Sequence, residues 1–285
     1  MRASARIVAR RQPDGTTRLT TLAGEAPLLV RRVTGRDAGS GFGSASGLGP
    51  GFDGLSGPNL LNGHCGGEVA PAPARVCLVG GSAGPLGGDA LRCSVDLGPG
   101  ARLEVHGVSA SIALPGPNGR ESSLEIQARV GEGGALYWSP QPLVAARGAR
   151  HRTFARVELA ADARLVWRDE LILGRDGEEP GSVSTRLRVV RAGRVLLDRE
   201  VAMGPRHPGS LGPAGSGGHR AVGVMLIVDP AWAGESAPRA EFAGVTAQDD
   251  PGVAVAAMRL SGPGVLISAA AADGAALSRV LDAAL

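Results

Sequence analysis

A chain of 285 residues that is 43% apolar but only 3% aromatic must build its core from Val, Leu, Ala and Ile, and its length suits one large domain or two small ones. All 30 basic side chains are arginine, interleaved with 27 carboxylates for a formal charge of +3. That mixture offers no clustered basic face and few aromatic platforms, which argues against nucleic acid as a partner.

The opening residues lack the apolar run of a secretion signal, and the best apolar stretch, Val222–Val228, has only strand length. A cytoplasmic chain with no membrane partner is expected. Cys65, Cys77 and Cys93 are odd in number and lack a disulfide-scaffold spacing, which fits a reducing compartment.

Ala3–Arg11, Arg18–Leu22 and Pro27–Val33 alternate as short strands between turn residues. Residues 35–67 are so rich in Gly, Ser and Pro that burial cannot offset the entropy of ordering them. A flexible loop over about 35–70 is expected, inside a single domain spanning 1–285. Strand patterning resumes at Arg75–Val79, Ala90–Leu97, Ala101–His106, Ser109–Leu114 and Ser122–Val130.

The stretch 132–176 carries the densest signal. Leu136-Tyr137-Trp138 leads into Ser139-Pro140-Gln141-Pro142, alternating runs follow over His151–Leu159 and Ala163–Leu173, and a polar turn begins at Gly174. Arg152, Arg156, Glu158, Arg164, Arg168 and Glu170 recur along these runs and predict one wet or partner-facing side. Val183–Val190 and Val195–Val201, joined by Arg191-Ala192-Gly193-Arg194, predict a hairpin.

A second flexible loop is expected over 204–219, followed by strands at Ala221–Val228, Ala240–Val245, Val253–Leu260 and Val265–Ser268. The chain closes on a helix capped by Asp273, with Leu277, Val280, Leu281 and Leu285 on one face. About fifteen short strands with no helical pattern between them predict an all-β domain of stacked, mainly antiparallel sheets, on the premise that parallel winding needs intervening helices.

Catalytic motifs are missing. The Gly-rich stretch after Arg75–Val79 has neither a G-x-G-x-x-G run nor a lysine, so it is expected to be a tight turn where backbones approach closely. No zinc spacing occurs; His64-Cys65 is a weak candidate for a transient soft metal ligand, and Cys77 and Cys93 are expected in the core. Asp169 and Glu170 point to opposite faces of one strand and cannot act as a pair. The residues alone therefore specify no active site.

Several segments, in order, resemble the urease accessory protein UreD (UreH) family. Gly87-Gly88-Asp89 followed by Leu91, Val95, Leu97, Pro99-Gly100-Ala101 and Leu103 is similar to its G-G-D stretch and the turn after it. Glu132 through Trp138, then Ser139-Pro140-Gln141-Pro142, resembles its Pro-Gln-Pro segment, and Leu171-Ile172-Leu173-Gly174-Arg175 its Gly-Arg turn. Gly193-Arg194 with Leu196-Leu197-Asp198 and the tail from Gly262 complete the match. The sequence departs from the pattern at Ser82–Leu86 and at His106–Ile112, where no lysine occurs.

The resemblance implies an all-β, helix-like stack of sheets with a small helical element, and a non-catalytic maturation factor. Its implied partners are UreF, UreG and the urease structural subunits; it would bind no cofactor tightly but meet Ni²⁺ in transit. Asp89, Glu170, Arg175 and Glu178 are candidates to line a nickel path, and Gly87, Gly88, Pro140, Pro142 and Gly174 are structural motif positions. The apolar segments Val222–Val228 and Leu277–Leu285 would be exposed and covered by partners. A small-molecule- or carbohydrate-binding β-sandwich or jelly-roll is the alternative, and it predicts an aromatic-lined pocket.

Overall fold

The computed structural model describes residues 1–33, 72–233 and 252–284. The expected strand at 240–245, the first Gly-rich loop with His64 and Cys65, and Leu285 lie outside them. Alternation in the sequence becomes two faces: in β1 (Arg2–Arg11), Ala3, Ala5 and Ile7 turn inward while Arg2, Ser4 and Arg6 meet solvent.

Among the described residues, seventeen strands form two sheets. The first runs, in spatial order, β14 (Arg194–Met203), β13 (Ser182–Arg191), β11 (Arg150–Leu159), β8 (Ser122–Val130), β5 (Ala90–Leu97), β1 and β2 (Thr17–Gly24). The second runs β16 (Val253–Arg259), β17 (Gly264–Ala271), β15 (Ala221–Val228), β12 (Arg164–Leu173), β9 (Ala135–Ser139), β6 (Arg102–Gly107), β4 (Ala74–Gly80) and β3 (Leu28–Arg32). Two short strands, β7 (Ser111–Ala113) and β10 (Leu143–Ala145), extend it beside β12.

The chain alternates between the sheets: β4, β5, β6, β8, β9, β11, β12 and β13 wind as successive coils. Each coil therefore lays its strands parallel to those of the previous one, as in β5–β8–β11–β13 and β4–β6–β9–β12. The all-β stack is as expected; the mainly antiparallel pairing is not. A return strand in the facing sheet reverses the chain as well as a helix does, so parallel pairing here needs no helical crossover. Antiparallel pairing is confined to the ends of the stack, including the β13–β14 hairpin with Ala192 and Gly193 in its turn at φ 46° and 76°.

In-register ladders fill the space between the sheets. Ile7–Val95–Ala128–Val157–Val189 crosses the first sheet, and Val76–Val105–Trp138–Trp167–Leu226–Leu266 the second. Each fully buried Val or Leu contributes about 1.5–3 kcal/mol. The two tryptophans stack across adjacent coils, centroids 5.0 Å apart and planes 9° from parallel.

The helix α1 (Gly274–Ala283) begins where Asp273 accepts the Ala276 N–H at 2.8 Å. It seats Leu277, Val280 and Leu281 on the outer face of β15 and β17. Gly223 permits this approach, since a Cβ there would lie 2.9 Å from Leu281 Cδ1. Val222–Val228 and the helix thus cover one another and are not left exposed for a partner.

The expected single wet side also divides. Arg152 and Arg156 are exposed on the first sheet, whereas Arg168 and Glu170 belong to the second and are buried beneath α1. The second Gly/Pro stretch, 204–219, is a string of hydrogen-bonded turns that buries Ser216.

Candidate functional site

Two neighbouring rungs of the stack switch from large to small side chains, and a void opens there. In the second sheet, Asp169–Val224–Ser268–Ala256 and Leu171–Val222–Ala270–Ala254 lie side by side; in the first, Thr153 and Thr185 stand where lower rungs carry Ile, Val and Leu. The result is a cavity of about 620 Å³ between the sheets, lined by residues from every strand of the second sheet and five of the first. Its lining residues meet solvent at both ends, with Ala254 and Ala256 at one and Ser82, Ala110 and Ser111 at the other. Trp138 is its one aromatic side chain among the described residues, which gives the carbohydrate alternative little support.

Among the described residues, three ionisable side chains that are not turned to the outer face bear on this space. Asp169 follows Trp167 by two residues on β12, so both face inward, and the indole Nε1–H donates to Asp169 Oδ2 at 2.7 Å. Burial pushes the Asp169 carboxyl up to about 6 despite that bond, and the protein encloses it except where the cavity reaches it. Arg199 faces it from β14, beyond ion-pair reach; burial lowers the basicity of its guanidinium and the Asp169 charge opposes that fall.

His151 on β11 is held by Ser122 Oγ at 2.9 Å and Thr153 Oγ1 at 3.1 Å, and burial pushes its pKa down to about 4. It is a neutral imidazole at pH 7. The Trp138 indole N–H, buried beside it all, has no partner among the described residues.

The sequence-derived path residues are not brought together. Asp89 clamps the Gly-rich turn, accepting the Leu86 N–H at 2.9 Å and the Met1 amine at 2.8 Å. Glu170 borders the cavity, but its carboxylate turns the other way to accept from Arg168 at 2.6 Å under α1. Arg175 and Glu178 pair with each other at a surface turn, the guanidinium Nε and Nη2 each donating to one carboxylate oxygen at 2.8 Å, and this pairing holds the Glu178 carboxyl down at about 2.

The motif residues lie in turns and close contacts of the surrounding frame. Gly87 and Gly116 touch so closely that a Cβ on Gly116 would lie 2.0 Å from the Gly87 carbonyl oxygen. Gly88 and Gly174 hold φ of 97° and 81°, Pro140 lines the cavity, and the Pro142 carbonyl accepts the Ser111 N–H at 3.0 Å. Cys77 and Cys93 are buried as expected, and burial pushes the Cys93 thiol up to about 12. Among the described residues no three His, Cys, Asp or Glu side chains converge to hold a metal ion, and no helix is long and apolar enough to cross a membrane.

Sequence reasoning missed Asp169, Arg199 and His151. A signal for Asp169 lies in its parity, which it shares with Trp167 and Leu171 and not with its neighbour Glu170.

Comparison with known proteins gives consistent matches. A family model described as UreD urease accessory protein matches residues 1–285. A Streptomyces coelicolor protein named urease accessory protein UreD is 39% identical over 100% of this chain and 96% of its own length. Urease accessory protein UreD 3 of Streptomyces griseus is 40% identical over the same shares. The urease accessory protein UreD of Frankia alni is 38% identical over 99% of this chain and 92% of its own length.

Proposed function

Because the chain belongs to the UreD family of urease accessory proteins, we propose that it is a non-catalytic scaffold in urease maturation. It docks on apo-urease together with UreF and UreG, and its interior carries nickel toward the urease dinickel site. The observation that carries this reading is the cavity, which runs the width of the second sheet with a single carboxylate, Asp169, turned into it among the described residues.

A cargo ion needs oxygen or imidazole groups that bind without trapping it, because a complete high-affinity set would stop transfer. One enclosed carboxylate and the Thr153 and Ser268 hydroxyls supply such a sparse set, while the neutral His151 imidazole, with both ring nitrogens hydrogen-bonded, holds Thr153 in place. The Asp89, Glu170, Arg175 and Glu178 carboxylates and guanidinium, all engaged elsewhere, are better suited to holding the frame.

The test is co-expression of urease subunits and the other accessory proteins with the wild-type chain, with Asp169→Ala, and without the chain. Bound nickel and ureolysis should fall in the second case and collapse in the third. Full nickel loading without the chain would overturn the scaffold reading. Full loading with Asp169→Ala would remove Asp169 from the path.

A further inference from the structure

Beyond nickel, the cavity holds polar groups that a cation cannot satisfy. Arg199 and the Thr185 hydroxyl have no hydrogen-bond partner among the described residues, and both line the cavity. They are neighbours: β13 and β14 pair with Leu187 opposite Arg199 and Thr185 opposite Val201. Arg199 continues the otherwise apolar ladder Ala5–Cys93–Ile126–Ala155–Leu187 onto the edge strand, so the core ends in a guanidinium. Asp169 lies too far away to pair with it and already accepts from Trp167.

A half-buried guanidinium without acceptors is costly, and an occupant that supplies them recovers that cost. Its planar fork matches a carboxylate with two parallel N–H···O bonds. The apolar cavity walls (Val201, Met203, Val224 and Ala256) favour an occupant with a small hydrocarbon body over a strongly hydrated polyanion.

We propose that Arg199 and Thr185 form a binding site for a small monocarboxylate at the β14 end of the cavity. Arg199 takes both carboxylate oxygens, the Thr185 hydroxyl donates to one of them, and the apolar walls enclose the remainder. Asp169 sets an upper limit on affinity, because its charge opposes an anion bound across from it. The site stands whether or not the cavity conducts nickel; if it does, a bound anion cancels the repulsion of Arg199 toward the cation.

The experiment titrates ¹³C-labelled acetate against the full-length chain by NMR relaxation, with sodium chloride as competitor. The wild type should give saturable binding that chloride displaces weakly. Arg199→Gln should weaken binding about tenfold or more, as for loss of a charge-assisted pair, and Arg199→Lys should recover only part of it. Asp169→Asn, which keeps the acceptor for Trp167 and removes the opposing charge, should tighten binding severalfold.

Wild-type acetate binding by Arg199→Gln, equal displacement by chloride, or weaker binding by Asp169→Asn would each overturn the site. Should Arg199→Gln fail to fold, the Asp169→Asn and chloride measurements still decide it. Acetate binding is read without urease, so it survives a failure of the nickel reading and fails independently of it.

Discussion

Arg168, buried in the middle of the second sheet, donates to Asp282 in the last turn of α1, a carboxylate whose side chain is 54% exposed. The same guanidinium donates to Ser278 Oγ at 2.8 Å and to Glu170 at 2.6 Å. One side chain thus ties the outer face of the sheet to the helix that covers it. Burial pushes the Glu170 carboxyl up, and its second oxygen has no partner among the described residues, so Arg168 is the group that keeps a carboxylate tolerable there.

Arg168→Met should therefore cost about 3–5 kcal/mol in urea unfolding, because it strands Glu170 in the interior. Adding Glu170→Leu should recover most of that loss. Asp282→Asn, at the exposed end, should cost about 1 kcal/mol or less. If the double variant is no more stable than Arg168→Met alone, the stranded-charge account fails.

The Asp169 carboxyl, raised from 3.8 to about 6, binds a proton in the folded state at pH values where the unfolded chain does not. Its contribution is full below pH 4 and is lost as pH rises toward 6. Asp169→Asn removes this dependence and should gain on the wild type by up to about 3 kcal/mol between pH 4 and 7. A stability difference that stays flat over that range would show the carboxyl titrating normally.

His151 acts with the opposite sign. Its pKa falls from 6.5 to about 4, so the unfolded chain takes up protons that the buried imidazole refuses, and stability is lost as pH drops from 6.5 to 4. His151→Leu should flatten that acid-side loss, which in the wild type amounts to up to about 3 kcal/mol. Denaturant midpoints of the two single variants should slope in opposite directions over pH 4–6.5.

Glycines here divide by what surrounds them. Gly116→Ala should cost more than about 2 kcal/mol or abolish folding, since the new Cβ meets the Gly87 carbonyl oxygen at 2.0 Å. Gly119→Ala, at φ 62° with nothing within 4 Å, carries only the backbone strain and should cost about 1 kcal/mol. Thermal melts of the two variants give the comparison.

Filling the cavity separates its role from that of the frame. Ala270→Leu adds apolar volume against Leu171 and Val222 and should hold or raise the melting temperature, each buried methylene being worth about 0.8 kcal/mol. Nickel loading of co-expressed urease should fall severalfold all the same. Unchanged loading in a folded Ala270→Leu protein would count against passage through the interior.

Much of the fold was legible because alternation is local: it gave nearly every described strand, the Ala192-Gly193 hairpin and the Asp273 cap. The site was less so. Asp89, Glu170 and Glu178 stood out as acids beside turns or in polar patterning, yet each is engaged away from the cavity: Asp89 by Met1 and Leu86, Glu170 by Arg168 on the outer face, Glu178 by Arg175 within its own turn. Asp169 looked unremarkable, and only the void above it gives it meaning.

By itself the sequence determined which side chains turn inward, where strands stop, how the last helix starts and which family the chain joins, since each follows from neighbouring residues or from their order. The tertiary structure decided which strands lie next to which. Ladder partners are chosen by winding over dozens of residues, and no local pattern announces that Thr153, Thr185, Ser268 and Ala270 will share adjacent rungs. Because those small side chains meet there, the core stays open around Asp169 and Arg199 where it would otherwise be packed solid.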